Sequence, residues 1–167
     1  MHDRLTQADI DRMKEELEHR ILVVRKEALE SVKEARAHGD LSENFEYKAA
    51  KQYKNQNESR IRYLERMIKS AVIIEDHAAA DEVGLNKRVR VRFPDEDEVE
   101  EYIIVTYIRG DSIKGYITQE SPVGKALMGH RAGETVRVKV NDKVSYDLEI
   151  LAVEPVENAD EIEIRSY

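Results

Sequence analysis

From Ile10 to His38 the chain carries no Gly or Pro, and its apolar residues fall at Ile10, Met13, Leu17, Ile21, Val24, Ala28, Val32 and Ala35. Steps of three and four keep these positions on one face of an α-helix. Thr6 with Asp9 three residues later gives a start signal, and Gly39, the only Gly before Gly84, stands where a helix ends. The stripe resumes at Phe45, Ala49, Tyr53, Gln56, Ile61, Leu64, Met67 or Ile68, and Ala71. The pattern predicts two helices, each roughly 45 Å long, folded back on one another at Gly39. A single antiparallel offset sets Met13 against Met67, Leu17 against Leu64, Ile21 against Ile61, Val24 against Gln56, Ala28 against Tyr53, Val32 against Ala49 and Ala35 against Phe45. Near the turn it opposes small residues to large ones, as close packing requires.

Past His77 the period changes from helical to alternating. Ala78-Ala79-Ala80-Asp81-Glu82 breaks the stripe and Gly84 follows. Val89, Val91 and Phe93 then alternate with Arg88, Arg90 and Arg92 in a half-buried strand ended by Pro94, and Asp95 to Glu98 read as a solvated turn. A second strand is expected over Glu101 to Ile108, closed by Gly110-Asp111, and a short third over Gly115 to Gln119. Ser121 caps a short helix, with Pro122 at its first position and Gly129 past its end. Val136, Val138 and Val140, the turn Asn141-Asp142, and Tyr146, Leu148 and Ile150 make a hairpin. The predicted organisation is a coiled-coil hairpin over 1–76, a linker over 77–85, an α+β domain over 86–155, and an extension over 156–167, either an added strand or a disordered end.

Composition narrows the function classes. With 167 residues, 41% hydrophobic and 6% aromatic, the chain is not expected to build one large aromatic core. No run approaches the roughly 18 apolar residues of a membrane span, and nothing of signal-peptide type follows Met1. With no Cys, disulfides, zinc-thiolate sites and thiol catalysis are excluded. A soluble, cytoplasmic protein is expected, monomeric and without membrane contact. His2, His19, His38, His77 and His130 show no metal-ligand or triad spacing. The net charge of -8 is uneven: residues 1–70 hold 15 Lys+Arg against 14 Asp+Glu, and the remainder 12 against 21. Lys48, Lys51, Lys54, Arg60, Arg62, Arg66 and Lys69 crowd the second arm, against Glu58 and Glu65. That basic helix is either a solvated face or a surface for phosphate or an acidic protein.

The turn reads His38-Gly39-Asp40-Leu41-Ser42-Glu43-Asn44. Asp40 and Glu43, three apart, suit two roles. Asp40 as N-cap with Glu43 reaching back forms a capping box. Two carboxylates also supply ligands to a divalent cation such as Mg2+, which takes one or two from protein and the rest from water or phosphate.

This string, with Glu46-Tyr47 and Ala49-Ala50-Lys51 behind it, resembles the tip signature of the GreA/GreB transcript-cleavage factors of bacterial RNA polymerase. Arg60-Ile61, Leu64-Glu65 and Ala71-Val72-Ile73-Ile74 are similar to the end of that family's second helix. Ile117-Thr118 and Ser121-Pro122-Val123-Gly124-Lys125-Ala126-Leu127-Met128-Gly129 resemble its C-terminal motif. The similarity runs from about Leu5 to Glu154, with both motifs in order.

The resemblance implies an antiparallel two-helix coiled coil followed by a small FKBP-like antiparallel sheet domain with one short helix. It implies a factor that is no enzyme itself. Its hairpin enters the polymerase secondary channel and lends Asp40 and Glu43 to a Mg2+ shared with the polymerase, stimulating cleavage of the backtracked RNA 3′ end. Ser42, Asn44 and Tyr47 would support the tip, or simply cap the helix and pack the seam. Lys48, Lys51 and Lys54 would form a basic face, and Ser121, Pro122 and Glu120 would dock on the polymerase. Phe45 stands where the family usually has Ala, an early Gly is missing around Gln7-Ala8-Asp9, and Thr106-Tyr107 replaces a common Gly. A channel-binding regulator that does not stimulate cleavage is the alternative, and a stand-alone nuclease or prolyl isomerase the third reading.

Overall fold

The computed structural model describes residues 3–39 and 44–166. The chain divides into two compact units, Gln7–Ala71, and Met1–Thr6 with Val72–Tyr167.

The first unit is the expected hairpin. Its first arm runs through α1 (Gln7–His19), a π-helical turn (Arg20–Val24) and α2 (Arg25–Arg36), and α3 (Phe45–Ser70) is the second arm. Ile10, Met13, Ala28, Val32 and Ala35 are buried, as the stripe requires. On α3 the inner face is different from the expected one. Asn57, Arg60, Ile61 and Leu64 are buried and Tyr47, Ala50 and Lys54 half-buried, whereas Phe45, Ala49, Tyr53 and Gln56 are exposed. The reason is helical phase. Counting back from Ile61 in steps of four and three gives 57, 54, 50 and 47, while the step from Gln56 to Ile61 is five and leaves the face.

The seam is polar through its middle, and the polar groups are paired across it. Arg60 donates through Nε (2.8 Å) and Nη2 (3.2 Å) to the Glu16 carboxylate, and Arg25 grips Glu58 at 2.8 and 2.9 Å. The buried Asn57 accepts from Arg20 Nη1 (3.0 Å) and donates to the Arg20 carbonyl (3.3 Å). That same carbonyl accepts the Arg25 N–H that closes the π turn. A side chain bonding into the helical ladder is a recognised cause of such a turn, and Asn57 supplies it here.

Burial alone would raise the Glu16 carboxyl, but the hydrogen bonds and charge of Arg60, with Arg20 behind them, outweigh it and hold the pKa below its ordinary 4.5. A carboxyl lower in the folded than the unfolded state stabilises fully above the unfolded value and ceases to as pH falls through the folded one. Melts followed by helical circular dichroism are therefore expected to fall as pH drops below about 4.5. Glu16→Gln should be less stable at neutral pH and fall less steeply. Equal slopes for the two would assign the acid sensitivity to other carboxylates.

The second unit departs from the predicted boundaries at both ends. β1 (Arg4–Leu5) and β2 (Val72–Ile73) pair in parallel, so these residues belong to the sheet-bearing unit rather than to the hairpin. Residues 77–85 are not a free linker: Val83 and Leu85 are buried in the core, and the Lys87 ammonium donates to the carbonyls of Ala79 and Glu82. The main sheet contains β3 (Lys87–Phe93), β4 (Glu98–Val105), β5 (Tyr116–Thr118), β6 (Thr135–Lys139) and β7 (Ser145–Pro155), in the order β5-β4-β3-β7-β6. The pairs are antiparallel except β4 with β5, which is parallel, so the sheet is mixed. One short helix, α4 (Pro122–Leu127), packs Leu127 into a core formed by Val89, Val91, Ile104, Val136, Val138, Leu148 and Ile150.

The second strand starts earlier and ends earlier than expected, because Tyr107–Arg109 turn as a 3-10 helix. The extension over 156–167 is neither strand nor loose end in its described part. Buried Arg109 donates through Nη1 to the carbonyls of Asp160 (3.1 Å) and Ile162 (2.6 Å), Ile162 is buried, and the Arg165 guanidinium lies over the Tyr107 ring.

Candidate functional site

The first arm ends at Arg36, with the Ala37 N–H bonding back to the carbonyls of Glu34 and Ala35. Gly39 has φ +122°, in the half of backbone space that glycine enters freely. The second arm then starts at Phe45 with Asn44 as its N-cap. The capping-box reading, with Asp40 as N-cap of this helix, is therefore corrected: Asn44 holds that position. Its Oδ1 accepts the Tyr47 N–H (3.0 Å) and its Nδ2 donates to the Ala35 carbonyl (2.7 Å). One short amide thus ties the end of the first arm to the start of the second and closes the turn between them. Asp40, Ser42 and Glu43 lie outside the described residues.

Around the clamp, Tyr47 is half-buried beneath the Arg36 guanidinium, 5.6 Å from the ring centroid. Its hydroxyl is held below the usual tyrosine range chiefly by hydrogen bonding with Arg36, against burial and with help from the charges of Lys51, Arg36 and Lys54. His38 Nδ1 meets Glu46 Oε2 at 3.1 Å. Sequence reasoning missed both partners, and the apolar offset does not reach them, since it opposes Arg36 to residues 44–46 and His38 to residues 42–44. Of the three lysines, Lys48 and Lys51 are exposed, and Lys54 turns to the margin of the seam.

Asn44→Ala is expected to cost the hairpin about 1–2 kcal/mol through the lost cap and cross-arm bond. Asn44→Asp, which keeps the acceptor and loses the donor, should recover part of it. Amide exchange at Tyr47 reports on the cap, and unchanged protection in Asn44→Ala would refute its role.

The second cluster is the start of α4. Ser121 Oγ donates to the Thr118 carbonyl (2.7 Å) and accepts the Gly124 N–H (3.0 Å), and Pro122 is exposed at the first helical position. Both Glu120 carboxylate oxygens are buried without a hydrogen-bond partner. Among the described residues, no group of three His, Asp or Glu side chains is placed to hold a metal ion, and no helix is long and apolar enough to cross a membrane.

Two family models cover these two clusters: "Transcription elongation factor, N-terminal" matches residues 4–73, and "Transcription elongation factor, GreA/GreB, C-term" matches residues 78–155. The chain is 43% identical over 153 residues to transcription elongation factor GreA of Streptococcus gordonii, spanning 90% of this chain and 94% of that protein. It is 42% identical over 151 residues to GreA of Streptococcus pneumoniae serotype 19F, with the same coverages. The chain belongs to the GreA/GreB family of transcription elongation factors. A solved structure, the GreA factor homolog 1 (Gfh1) protein of Thermus thermophilus, is 28% identical, covers 90% of this chain and 97% of its own, and superposes with a TM-score of 0.41. In this Gre protein, then, the Asn44 clamp closes the hairpin turn and the Ser121 cap shapes the C-terminal motif.

Proposed function

We propose that this Gre protein binds bacterial RNA polymerase, inserts its hairpin into the secondary channel and stimulates the polymerase's own cleavage of backtracked RNA, rescuing arrested complexes. The reading is carried by the string Gly39-Asp40-Leu41-Ser42-Glu43-Asn44 at the turn of a two-helix hairpin. Two carboxylates at that turn fit a Mg2+ whose remaining ligands come from the polymerase and from phosphate. When bound there, the ion supplies Lewis-acid stabilisation of the oxygens in phosphodiester hydrolysis. Asp40 and Glu43 bring negative charge to an under-ligated cation and help hold the attacking water; the factor itself hydrolyses nothing. Ser42 supports the turn, and Asn44 and Tyr47 fix its two ends. Lys48, Lys51 and Lys54 favour the extruded 3′ RNA, and Ser121 and Pro122 dock on the rim of the channel, with Glu120, whose carboxylate is buried, shaping the turn behind them.

The test is a stalled, backtracked polymerase to which the protein is added. Shortening of the transcript from its 3′ end, with none when the protein meets RNA alone, is the expected result. Polymerase binding without shortening would replace the proposal with the regulator reading, and RNA hydrolysis without polymerase would make the protein an enzyme.

A further inference from the structure

The helix α4 is six residues long, about 9 Å, and it lies against β5 and β6. A helix of that length cannot cover the core-bearing face of a five-stranded sheet. Residues directly opposed on antiparallel strands share a face, so the registers show which part stays open. Val89 opposes Tyr102, Val91 opposes Glu100, Phe93 opposes Glu98, and Val138 opposes Tyr146. The four valines' side of the sheet is the core. On that side Phe93, Tyr102 and Tyr146 are only half-buried, and Glu98 and Glu100 are exposed. By alternation Val140 and Val144, 46% and 49% exposed, continue the same side past the end of the β6–β7 hairpin.

The open part is an aromatic floor with acid on it. The Phe93 and Tyr146 rings stack with 5.8 Å between their centroids. The Tyr102 hydroxyl is pushed up to about 12, first by burial and then by the charge and hydrogen bond of Glu100. Burial and the same carboxylate raise Tyr146. Both tyrosines therefore face Glu100 and keep their protons. The cations of β3 are engaged on the opposite face, Arg88 with Glu101 and Arg92 with Glu149. Among the described residues, neither Glu98 nor Glu100 has a Lys or Arg within ion-pair distance. Asp95 and Glu96, exposed in the adjoining turn, add to the negative field. A carboxylate beside ring faces suits a guanidinium, whose planar fork bonds the acid while its face lies on a ring. We propose that this face docks a basic segment of a protein partner, with an arginine at Glu100 between Tyr102 and Tyr146 and an apolar side chain on Val140 and Val144. The face is independent of the hairpin's proposed role.

The full-length protein is titrated with a capped Leu-Arg-Leu-Arg peptide while its amide resonances are followed. Shifts are expected at Phe93, Glu100, Tyr102 and Tyr146. The same peptide with citrulline for arginine keeps the shape and loses the charge, and should bind about tenfold or more weakly. Glu100→Gln should weaken the arginine peptide about as much, while Glu96→Gln, in the turn outside the face, should change it by no more than about twofold. Tyr146→Leu keeps an apolar floor without the ring, so the preference for arginine over a matching lysine peptide should fade. Thermal melts of each variant beside the native chain separate a lost site from a lost fold. No shifts, or equal binding of the citrulline peptide, overturns the proposal. Equal losses in Glu100→Gln and Glu96→Gln would leave only attraction by net charge and overturn it as well. Self-association in sedimentation that Val144→Ser abolishes would give the face to a second copy of this chain, and the basic partner would be ruled out.

Discussion

Alanine at both Asp40 and Glu43 is expected to leave the protein bound to RNA polymerase with its helical content intact, while transcript shortening in a backtracked complex falls by about 100-fold or more. The size follows from what the two carboxylates are asked to do. A cation that lacks protein ligands binds weakly, and each acid supplies both an oxygen and a charge. The charge matters most where developing negative oxygens must be stabilised in a site shielded from water. Asp40→Asn with Glu43→Gln keeps the shape and an oxygen at each position but removes both charges, so an intermediate loss is expected. If the deficit is one of cation occupancy, raising Mg2+ should recover part of it by mass action in the Asn/Gln variant. Rates of shortening across a Mg2+ series, beside polymerase affinity for each variant, separate binding from chemistry. A double alanine variant that cleaves at the native rate would end the assignment.

The same two residues mark the limit of what geometry adds, since the recognisable chemistry of the turn was carried by residue order. Elsewhere legibility tracked apolarity. The first arm was readable because Ile10, Met13, Ala28, Val32 and Ala35 bury methyl-rich side chains at helical spacing. The second arm was readable only from Ile61 onward. Before it the seam is built from Tyr47, Ala50, Lys54 and Asn57, and a search for apolar residues slides onto Phe45, Ala49 and Tyr53 instead. Counting back from Ile61 at helical steps gives the phase, and pairing across the seam, Glu16 with Arg60 and Arg20 with Asn57, satisfies the polar groups that this phase buries. In the sheet, Val136, Val138, Leu148 and Ile150 revealed their hairpin because alternation has period two. The parallel β4–β5 pairing and the tail held by Arg109 are long-range contacts with no local signature. The departure at Thr106-Tyr107 now has a structural setting, for Tyr107 begins the 3-10 turn and carries Arg165 on its ring.

Gly124 is where a single methyl is expected to do the most damage. In an open helical position alanine would gain roughly 1 kcal/mol over glycine. Here a Cβ would stand 2.1 Å from the Thr118 carbonyl oxygen and 3.0 Å from Ser121 Oγ. Those two atoms are already joined by the Ser121 hydroxyl, which also accepts the Gly124 N–H. The methyl must therefore push away the end of β5 or break the cap, and the obstructing atom is backbone, which cannot swing aside. Gly124→Ala is expected to destabilise the sheet-bearing unit by about 3 kcal/mol or more, with the hairpin's own stability unchanged. The displaced residues are Glu120, Ser121 and Pro122, so affinity for RNA polymerase should fall with it. Ser121→Ala provides the contrast: it removes the cap at a cost of about 1 kcal/mol without forcing the turn open, and should bind closer to normally. Denaturation of both variants beside polymerase titrations decides between the two links. A native-like melt for Gly124→Ala would mean that the turn tolerates the methyl. A lowered melt with undiminished affinity would instead place the docking surface away from this turn.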